Sequence, residues 1–256
     1  MCLCLFAVNA HDEFPFILIA NRDEFRTRPA SIAAFWEEHP NVLAGRDLQG
    51  MGTWLGMNKS GKIAFLTNYR HPDYFNRKGP TRGTLVSNFL TSESNGKEYL
   101  DSVQNPTEYN GFNLVVGSPD GLYYYSNVEG KVKPINSGVH GLSNAFLNTS
   151  WPKVDDGKEK LKSAIEKNDL NSNHLFSILA DGSFAKESEL PETGVSQELE
   201  KVLSAKFINT PNYGTVCSTV IKIDRNGKCF FEEKTFNEKG LETGKVSYEF
   251  STGFGS

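Results

Sequence analysis

The order of apolar and polar residues divides the chain into alternating strand-like and helix-like blocks. In the first third, Cys2 to Val8, Phe16 to Ala20, Thr53 to Met57 and Lys62 to Thr67 are apolar or alternating runs bounded by turn residues, which predicts short strands. After Pro80, Leu85, Val86, Phe89 and Leu90 recur at helical spacing and are followed by Tyr99, Leu100 and Val103, which predicts helix packed on a sheet face. Strands return over Phe112 to Val116, Leu122 to Ser126 and Val132 to Ile135, separated by the turn sequences Pro119-Asp120-Gly121 and Glu129-Gly130. From Pro152 to Phe207 the apolar stripe Leu161, Ile165, Leu175, Ile178, Leu179, Leu199 and Val202 predicts helices, and Thr215 to Phe250 reads again as strands. Strand blocks joined by hairpins and covered by helices predict an α+β fold with mainly antiparallel sheets. No repeat or linker interrupts the pattern, so one domain over residues 1–256 is expected. The polar stretch His71 to Lys78, with Pro72, reads as a rim loop, and residues 255–256 read as a frayed tail.

Two hairpins allow registers to be predicted. If Leu3 to Asn9 pairs with Phe16 to Ala20 around His11-Asp12-Glu13, opposed residue numbers sum to about 25, which sets Cys2 beside Arg22, Asp23 or Glu24. Cys2 and Cys4 then share one strand face and Leu3 and Leu5 the other, as in the centre of stacked sheets. Near the C-terminus, Asn226-Gly227 is a two-residue turn signal that would set Lys228 opposite Arg225, Cys229 opposite Asp224 and Cys217 opposite Phe236. That places the last two thiols roughly 20 Å apart at about 3.3 Å per residue, so no disulfide is expected between them.

Composition narrows the function classes. The chain has 256 residues, 38% hydrophobic and 23% charged, which is ordinary for a globular protein with a sizeable core. A formal net charge of -4 offers no broad basic surface, so nucleic acid is not an expected partner. Four cysteines are too few for a disulfide scaffold, and Met-Cys-Leu-Cys-Leu-Phe lacks the basic region of a signal peptide, so the cytoplasm is the expected location. No apolar run approaches the roughly 18 residues of a membrane span, so no integral membrane contact is expected. His11, His39, His71, His140 and His174 show no metal spacing, and no phosphate loop or dinucleotide fingerprint occurs, so neither a metal nor a required cofactor is expected.

The candidate chemistry centres on Cys2. A side chain this small permits removal of the initiator Met, and the freed α-amine, with a pKa of about 8, would put a nucleophile and a general base on one residue. Asn21-Arg22-Asp23-Glu24, at the end of an apolar strand, offers a cation to depress a thiol pKa and a carboxylate to hold an ammonium. The plainer readings are a buried structural cysteine and a solvated strand end.

Met1-Cys2, Asn21-Arg22-Asp23-Glu24 and Gly52-Thr53-Trp54-Leu55-Gly56 together resemble the NRDE family, related to transport and Golgi organization protein 2. The likeness continues in order through Asn68-Tyr69-Arg70, Arg82-Gly83, Asn110-Gly111-Phe112-Asn113-Leu114, Gly141-Leu142-Ser143-Asn144, Tyr213-Gly214-Thr215 and Ser218-Thr219, nearly the whole chain. The resemblance implies a four-layer αββα sandwich of two stacked sheets, similar to N-terminal-nucleophile hydrolases. It implies Cys2, Arg22, Asp23, Asn68 and Asn144 as the catalytic set, the two asparagines as oxyanion donors. It further implies Asn21, Glu24, Trp54, Tyr69, Arg70 and Arg82 as contacts to a small-molecule ligand or substrate. Asparagine at a strand end is also ordinary turn chemistry.

One departure stands out: the family commonly has Arg after Tyr-Gly-Thr, whereas here Val216 precedes Cys217. Met51, where a glycine is common, is a smaller one. Two functions remain open on this scaffold. One is a cysteine amidohydrolase working through a thioester on a small amide or acyl substrate. The other is a non-catalytic carrier of haem, lipid or acyl-CoA, with Cys2, Cys4 or His140 as possible haem ligands.

Overall fold

In the computed structural model, which describes residues 2–75 and 78–254, two antiparallel sheets stack face to face. The first sheet is ordered β10-β1-β2-β11-β12-β13, from β1 (Cys2–Val8), β2 (Phe16–Phe25), β10 (Gly138–Leu142), β11 (Tyr213–Ile223), β12 (Lys228–Phe236) and β13 (Glu242–Ser251). The second runs β3-β4-β5-β6-β7-β8-β9 in chain order, from β3 (Ala30–Phe35), β4 (Val42–Asp47), β5 (Leu55–Asn58), β6 (Ile63–Asn68), β7 (Phe112–Ser118), β8 (Gly121–Ser126) and β9 (Lys131–Pro134). Helices α1 (Gly83–Thr91) and α2 (Gly96–Ser102) cover the second sheet, and α3 (Pro152–Glu166) and α4 (Ser172–Leu179) the first, while α5 (Gln197–Leu203) precedes β11. Among the described residues no helix is long and apolar enough to cross a membrane.

The two-residue period of each strand sorts its side chains between layers. Cys4, Phe6, Val8, Phe16 and Leu18 meet Leu55, Met57, Phe65 and Val115 in the core between the sheets. Leu3, Leu5, Ala7, Ile17 and Ile19, on the opposite face, pack against Val154, Leu161, Leu175 and Leu179 of α3 and α4. A third cluster joins Ala64, Leu66, Leu114 and Val116 to Val86, Phe89 and Leu100 of α1 and α2. The four-layer αββα sandwich follows, because each sheet is apolar on both faces.

Several expectations need correction. The strand expected to stop at Ala20 runs on to Phe25, so Asn21-Arg22-Asp23-Glu24 lies within β2 and not beyond its end. It stays in register because β1 and β11 flank it and satisfy its backbone. Strands β3, β4 and β10 were not predicted; β3 is a half-exposed edge and β10 contains two glycines, so neither shows a clean apolar alternation. Residues 180–196 carry only a short 3-10 turn inside the block expected to be helical, and Leu199 is exposed, with Leu203 buried in its place.

The β11–β12 hairpin is offset by one residue from the predicted pairing. Gly227 has φ +76°, its N–H donates to the Asp224 carbonyl, and the Asp224 N–H donates to the Lys228 carbonyl. The loop is therefore Arg225 to Gly227, the three-residue form closed by a left-handed glycine, and Cys229 opposes Ile223 while Cys217 opposes Thr235. All four cysteines are free thiols. The loop expected over His71 to Lys78 includes a 3-10 turn at Pro72–Tyr74. Its residues 76–77, like the tail at 255–256 and Met1, lie outside the described residues.

Candidate active site

Cys2 opens β1 directly opposite Arg22 of β2, and Arg22 in turn is opposite Cys217 of β11. Strand alternation sends Cys2 and Arg22 into the gap between the sheets, at the end of the inter-sheet core, and turns Asn21 and Asp23 towards the helices. From the facing sheet the Trp54 ring covers Arg22, with the guanidinium carbon 4.2 Å from the ring centroid. The Cys2 carbonyl accepts a hydrogen bond from Ser143 Oγ at 3.1 Å, which ties the start of β1 to the segment after β10.

A pocket of ≈ 90 Å³ opens over the thiol. Of the residues predicted for the site, Cys2, Arg22, Asp23, Glu24, Trp54, Asn68 and Arg82 border it. Its far wall is made where two loops touch: a Cβ on Gly52 would lie 2.4 Å from the carbonyl carbon of Gly83, so only glycine permits the approach, and Thr53 N–H donates to Gly83 O at 3.2 Å. Arg28, Asp47, Thr53, Leu66, Thr81 and Gly83 complete the lining; none was foreseen as a site residue, and Asp47 ends the unrecognised strand β4.

Charge in the pocket is unevenly committed. Arg28 binds Asp47 at 2.6 Å and Arg22 approaches Glu24 at 3.5 Å. Arg82 donates to the Gly111 carbonyl at 2.9 Å and has no carboxylate within ion-pair reach among the described residues. Burial pushes the Cys2 thiol above its ordinary value and the Asp23 charge adds to this, outweighing the pull of the chain's α-ammonium, then of Arg22 and of the Asp23 backbone amide. The expectation that Arg22 would depress the thiol is thus overridden by desolvation, and the resting group at neutral pH is the thiol.

The other predicted residues lie elsewhere. Asn21 faces the helices, where its amide donates to Leu179 O and Lys206 O and its carbonyl oxygen accepts from Ser218 Oγ at 2.6 Å. Arg70 is buried, paired with Glu200 at 3.1 Å and stacked on Trp151. Tyr69 joins an aromatic cluster with Tyr74 and Phe146. Asn144 donates its side-chain amide to the Asn68 carbonyl at 2.9 Å, so it holds Asn68 in place, while the Asn68 side chain makes no hydrogen bond among the described residues. These four stand in motifs near the site, but Asn21 is on the helix-facing side of β2, Tyr69 and Arg70 follow the pocket residue Asn68 beyond the end of β6, and Asn144 follows β10, which local spacing does not reveal.

Two of the three side chains expected as haem ligands are committed elsewhere. Cys4 is sealed in the inter-sheet core, and both His140 ring nitrogens are engaged, by Asn136 O at 2.8 Å and Asn148 Nδ2 at 3.0 Å. The Cys2 pocket contains neither, and it is smaller than the roughly 300 Å³ at which typical ligand pockets begin.

The model of the family described as transport and Golgi organisation 2 matches residues 1–238. The chain belongs to this family. The human transport and Golgi organization protein 2 homolog is 34% identical over 98% of this chain and 99% of its own length. Two solved structures share the fold of this transport and Golgi organisation 2 chain at 11% identity. They are the Caenorhabditis elegans ortholog of N-acylethanolamine-hydrolyzing acid amidase, with TM-score 0.51 over 86% of this chain and 92% of that one, and a mutant of the conjugated bile acid hydrolase from Clostridium perfringens, with TM-score 0.52 over 98% and 97%. In this member of the family, Val216 is the bulge residue between Thr215 and Cys217 and lines a neighbouring cavity of ≈ 380 Å³, separated from the Cys2 pocket by the Arg22–Trp54 stack.

Proposed function

We propose that the protein is an amide hydrolase that uses Cys2 as nucleophile on a small amide or acyl substrate. The observation that supports this most is the set of groups around one thiol: a guanidinium opposite it, and a second guanidinium and an asparagine amide that, among the described residues, have no carboxylate partner and no hydrogen-bond acceptor respectively, all on one pocket. The likeness in fold to an amidase and a bile acid hydrolase supports the same chemistry.

Loss of Met1 gives Cys2 a free α-amine with a pKa of about 8, suited to accept a proton at neutral pH. The amine takes the thiol proton as sulfur attacks the substrate carbonyl carbon, and the C=O electron pair moves onto oxygen. The Asn68 side-chain amide donates to that oxyanion, with the Arg82 charge beside it. The ammonium returns the proton to the leaving nitrogen as the C–N bond breaks, leaving a thioester on Cys2. A water molecule, deprotonated by the same amine, attacks the thioester, and the carboxylic acid departs as the thiol regains its proton. The narrow pocket limits the buried reacting end of the substrate to a short group.

The test is a panel of small amides given to protein whose intact mass shows Met1 removed. Amine release and a transient acyl adduct on Cys2 are expected, both abolished by Cys2→Ala. Turnover that survives Cys2→Ala, or a chain that keeps Met1 in most native molecules, overturns the reading.

A further inference from the structure

The cavity of ≈ 380 Å³ beyond the Arg22–Trp54 stack is of the size that takes small molecules, which starts at roughly 300 Å³. Three guanidiniums border it, from Arg22 within β2 and from Arg26 and Arg28 in the segment that follows. Ile32, Val216 and Phe236, all half-buried, give it an apolar side.

The three cations are unequally answered. Arg28 is bound to Asp47, and it shares Glu24 with Arg22, at 3.8 Å and 3.5 Å. Arg26 holds only neutral oxygens: its Nη1 donates to Thr215 O at 3.1 Å and its Nη2 to Asn209 Oδ1 at 3.0 Å. Among the described residues no carboxylate lies within ion-pair distance of Arg26; Asp23 and the exposed Glu238 act on it from farther away. Two buried donors, Arg22 Nη1 and Arg26 Nε, have no acceptor among the described residues, and Arg22 is only 5% exposed. Buried polar groups are nearly always paired, so unmet donors on two cations at one cavity point to an acceptor that arrives from outside.

The carboxyl in the cavity wall does not supply it. Glu233 Oε1 accepts from the Ala33 N–H at 2.8 Å and Oε2 from Thr219 Oγ1 at 2.9 Å, and the group also accepts from the Cys217 thiol. Glu233 is thereby committed to tying β12 and β11 to β3 of the facing sheet.

We propose that this cavity is an anion subsite beside the Cys2 pocket, where Arg26 and Arg22 hold a carboxylate of the substrate and Val216 and Phe236 receive the carbon chain attached to it. This rests on the hydrolase reading and names its substrate class, an amide that bears a second, acidic group. A planar guanidinium meets a carboxylate through paired N–H···O bonds, and the apolar side favours a carboxylate on a carbon stem over inorganic phosphate. Arg22 pairs with Cys2 on one side and with Cys217 on the other, so two strand spacings, about 10 Å, separate the thiol from the strand that borders the subsite.

The experiment titrates the full-length protein with butyrate, butyramide and inorganic phosphate at constant ionic strength. Nitrogen-15 NMR follows the Cys217 amide and the Arg26 Nε–H, the latter assigned by its loss in Arg26→Met. Butyrate should shift both signals saturably and bind about tenfold or more tightly than butyramide, and more tightly than phosphate. Arg26→Met should weaken butyrate by about tenfold or more. Val216→Glu brings a carboxylate to the cavity without removing an Arg26 hydrogen bond and should do the same, while Val216→Gln, of equal size, should stay within about threefold of wild type. The Glu and Gln pair decides if Arg26→Met does not fold. Equal binding of butyrate and butyramide overturns the proposal, as does phosphate binding tighter than butyrate, or Val216→Glu binding butyrate as well as Val216→Gln. None of these readings needs turnover. Amides with and without a carboxylate that all stay inert while butyrate binds would remove the hydrolase reading and leave the anion site. Turnover of amides without any butyrate shift would remove the subsite and leave the hydrolase.

Discussion

Cys2 and Arg22 are paired residues of one ladder, side by side on the same sheet face, so the guanidinium is held beside the thiol by backbone register and not by a flexible loop. Trp54 closes over the guanidinium from the other sheet, and the stack fills the end of the inter-sheet core.

This arrangement predicts the order of thiol reactivity. Burial raises all four thiols, Cys2 less markedly than Cys4, Cys217 and Cys229. Cys2 is also the most exposed, at 9%. Limited alkylation with peptide mapping should therefore label Cys2 first. Because the thiolate reacts and the Cys2 thiol lies above its ordinary value, the rate should still be climbing at pH 9. Arg22→Met removes a neighbouring cation and should slow labelling at pH 7 several-fold, with Arg22→Lys in between. First labelling of Cys217 or Cys229 would make Cys2 a structural cysteine.

The two asparagines should separate in kind. Asn68→Ala removes the pocket's side-chain amide donor and should lower kcat by about 10²–10³, the usual loss for one oxyanion donor, with little change in thermal stability. Asn144→Ala leaves the Asn68 carbonyl without its buried donor and should cost about 1–3 kcal/mol of stability. Equal kinetic losses with equal melting temperatures would mean that both donate to the substrate.

Much of this site was legible in the chain because β1 and β2 form a hairpin, where opposed residues follow from the loop alone. Cys2 beside Arg22 needed only a sum of residue numbers. The side chosen by each neighbour needed the continuation of β2 past Ala20, which its polar sequence hides: Asn21 and Asp23 look solvated until Ser218 and Thr215 of β11 are seen to bind them. Asp47 reaches the site from β4, which pairs with its sequence neighbours β3 and β5 but was not recognised as a strand. Register in the β11–β12 hairpin failed because Asp224, whose Oδ1 accepts from Asn226 and Lys228 N–H, lengthens the Asn-Gly turn by one residue.

Arg70 and Arg82, both expected as ligand contacts, should now behave oppositely. Arg70→Met leaves Glu200 buried without its cation, which should cost about 3–5 kcal/mol while the kinetic constants of the folded fraction stay unchanged. Arg82 lines the pocket and, among the described residues, has no carboxylate to abandon, so Arg82→Met should raise KM with a small change in melting temperature. A KM effect at Arg70 and none at Arg82 would reverse their assignment.

Gly157 offers a test in which two effects of opposite sign compete. In the middle of α3, alanine is favoured over glycine by about 1 kcal/mol, so Gly157→Ala would stabilise the protein if the site were open. It is not open, since the added Cβ would meet Leu5 Cδ1 at 2.5 Å and Cδ2 at 2.9 Å, and Leu5 is fully buried between β1 and the helix. Overpacking of this kind costs about 1–3 kcal/mol, so packing should win and the melting temperature should fall. Leu5→Val shortens the obstructing side chain, and in the Gly157→Ala background it should cost less than it does alone, a coupling of about 0.5–3 kcal/mol in a double-mutant cycle. Thermal or denaturant unfolding of the four proteins reads this directly. A rise in stability for Gly157→Ala, or additive effects within about 0.5 kcal/mol, would mean that α3 can move off β1.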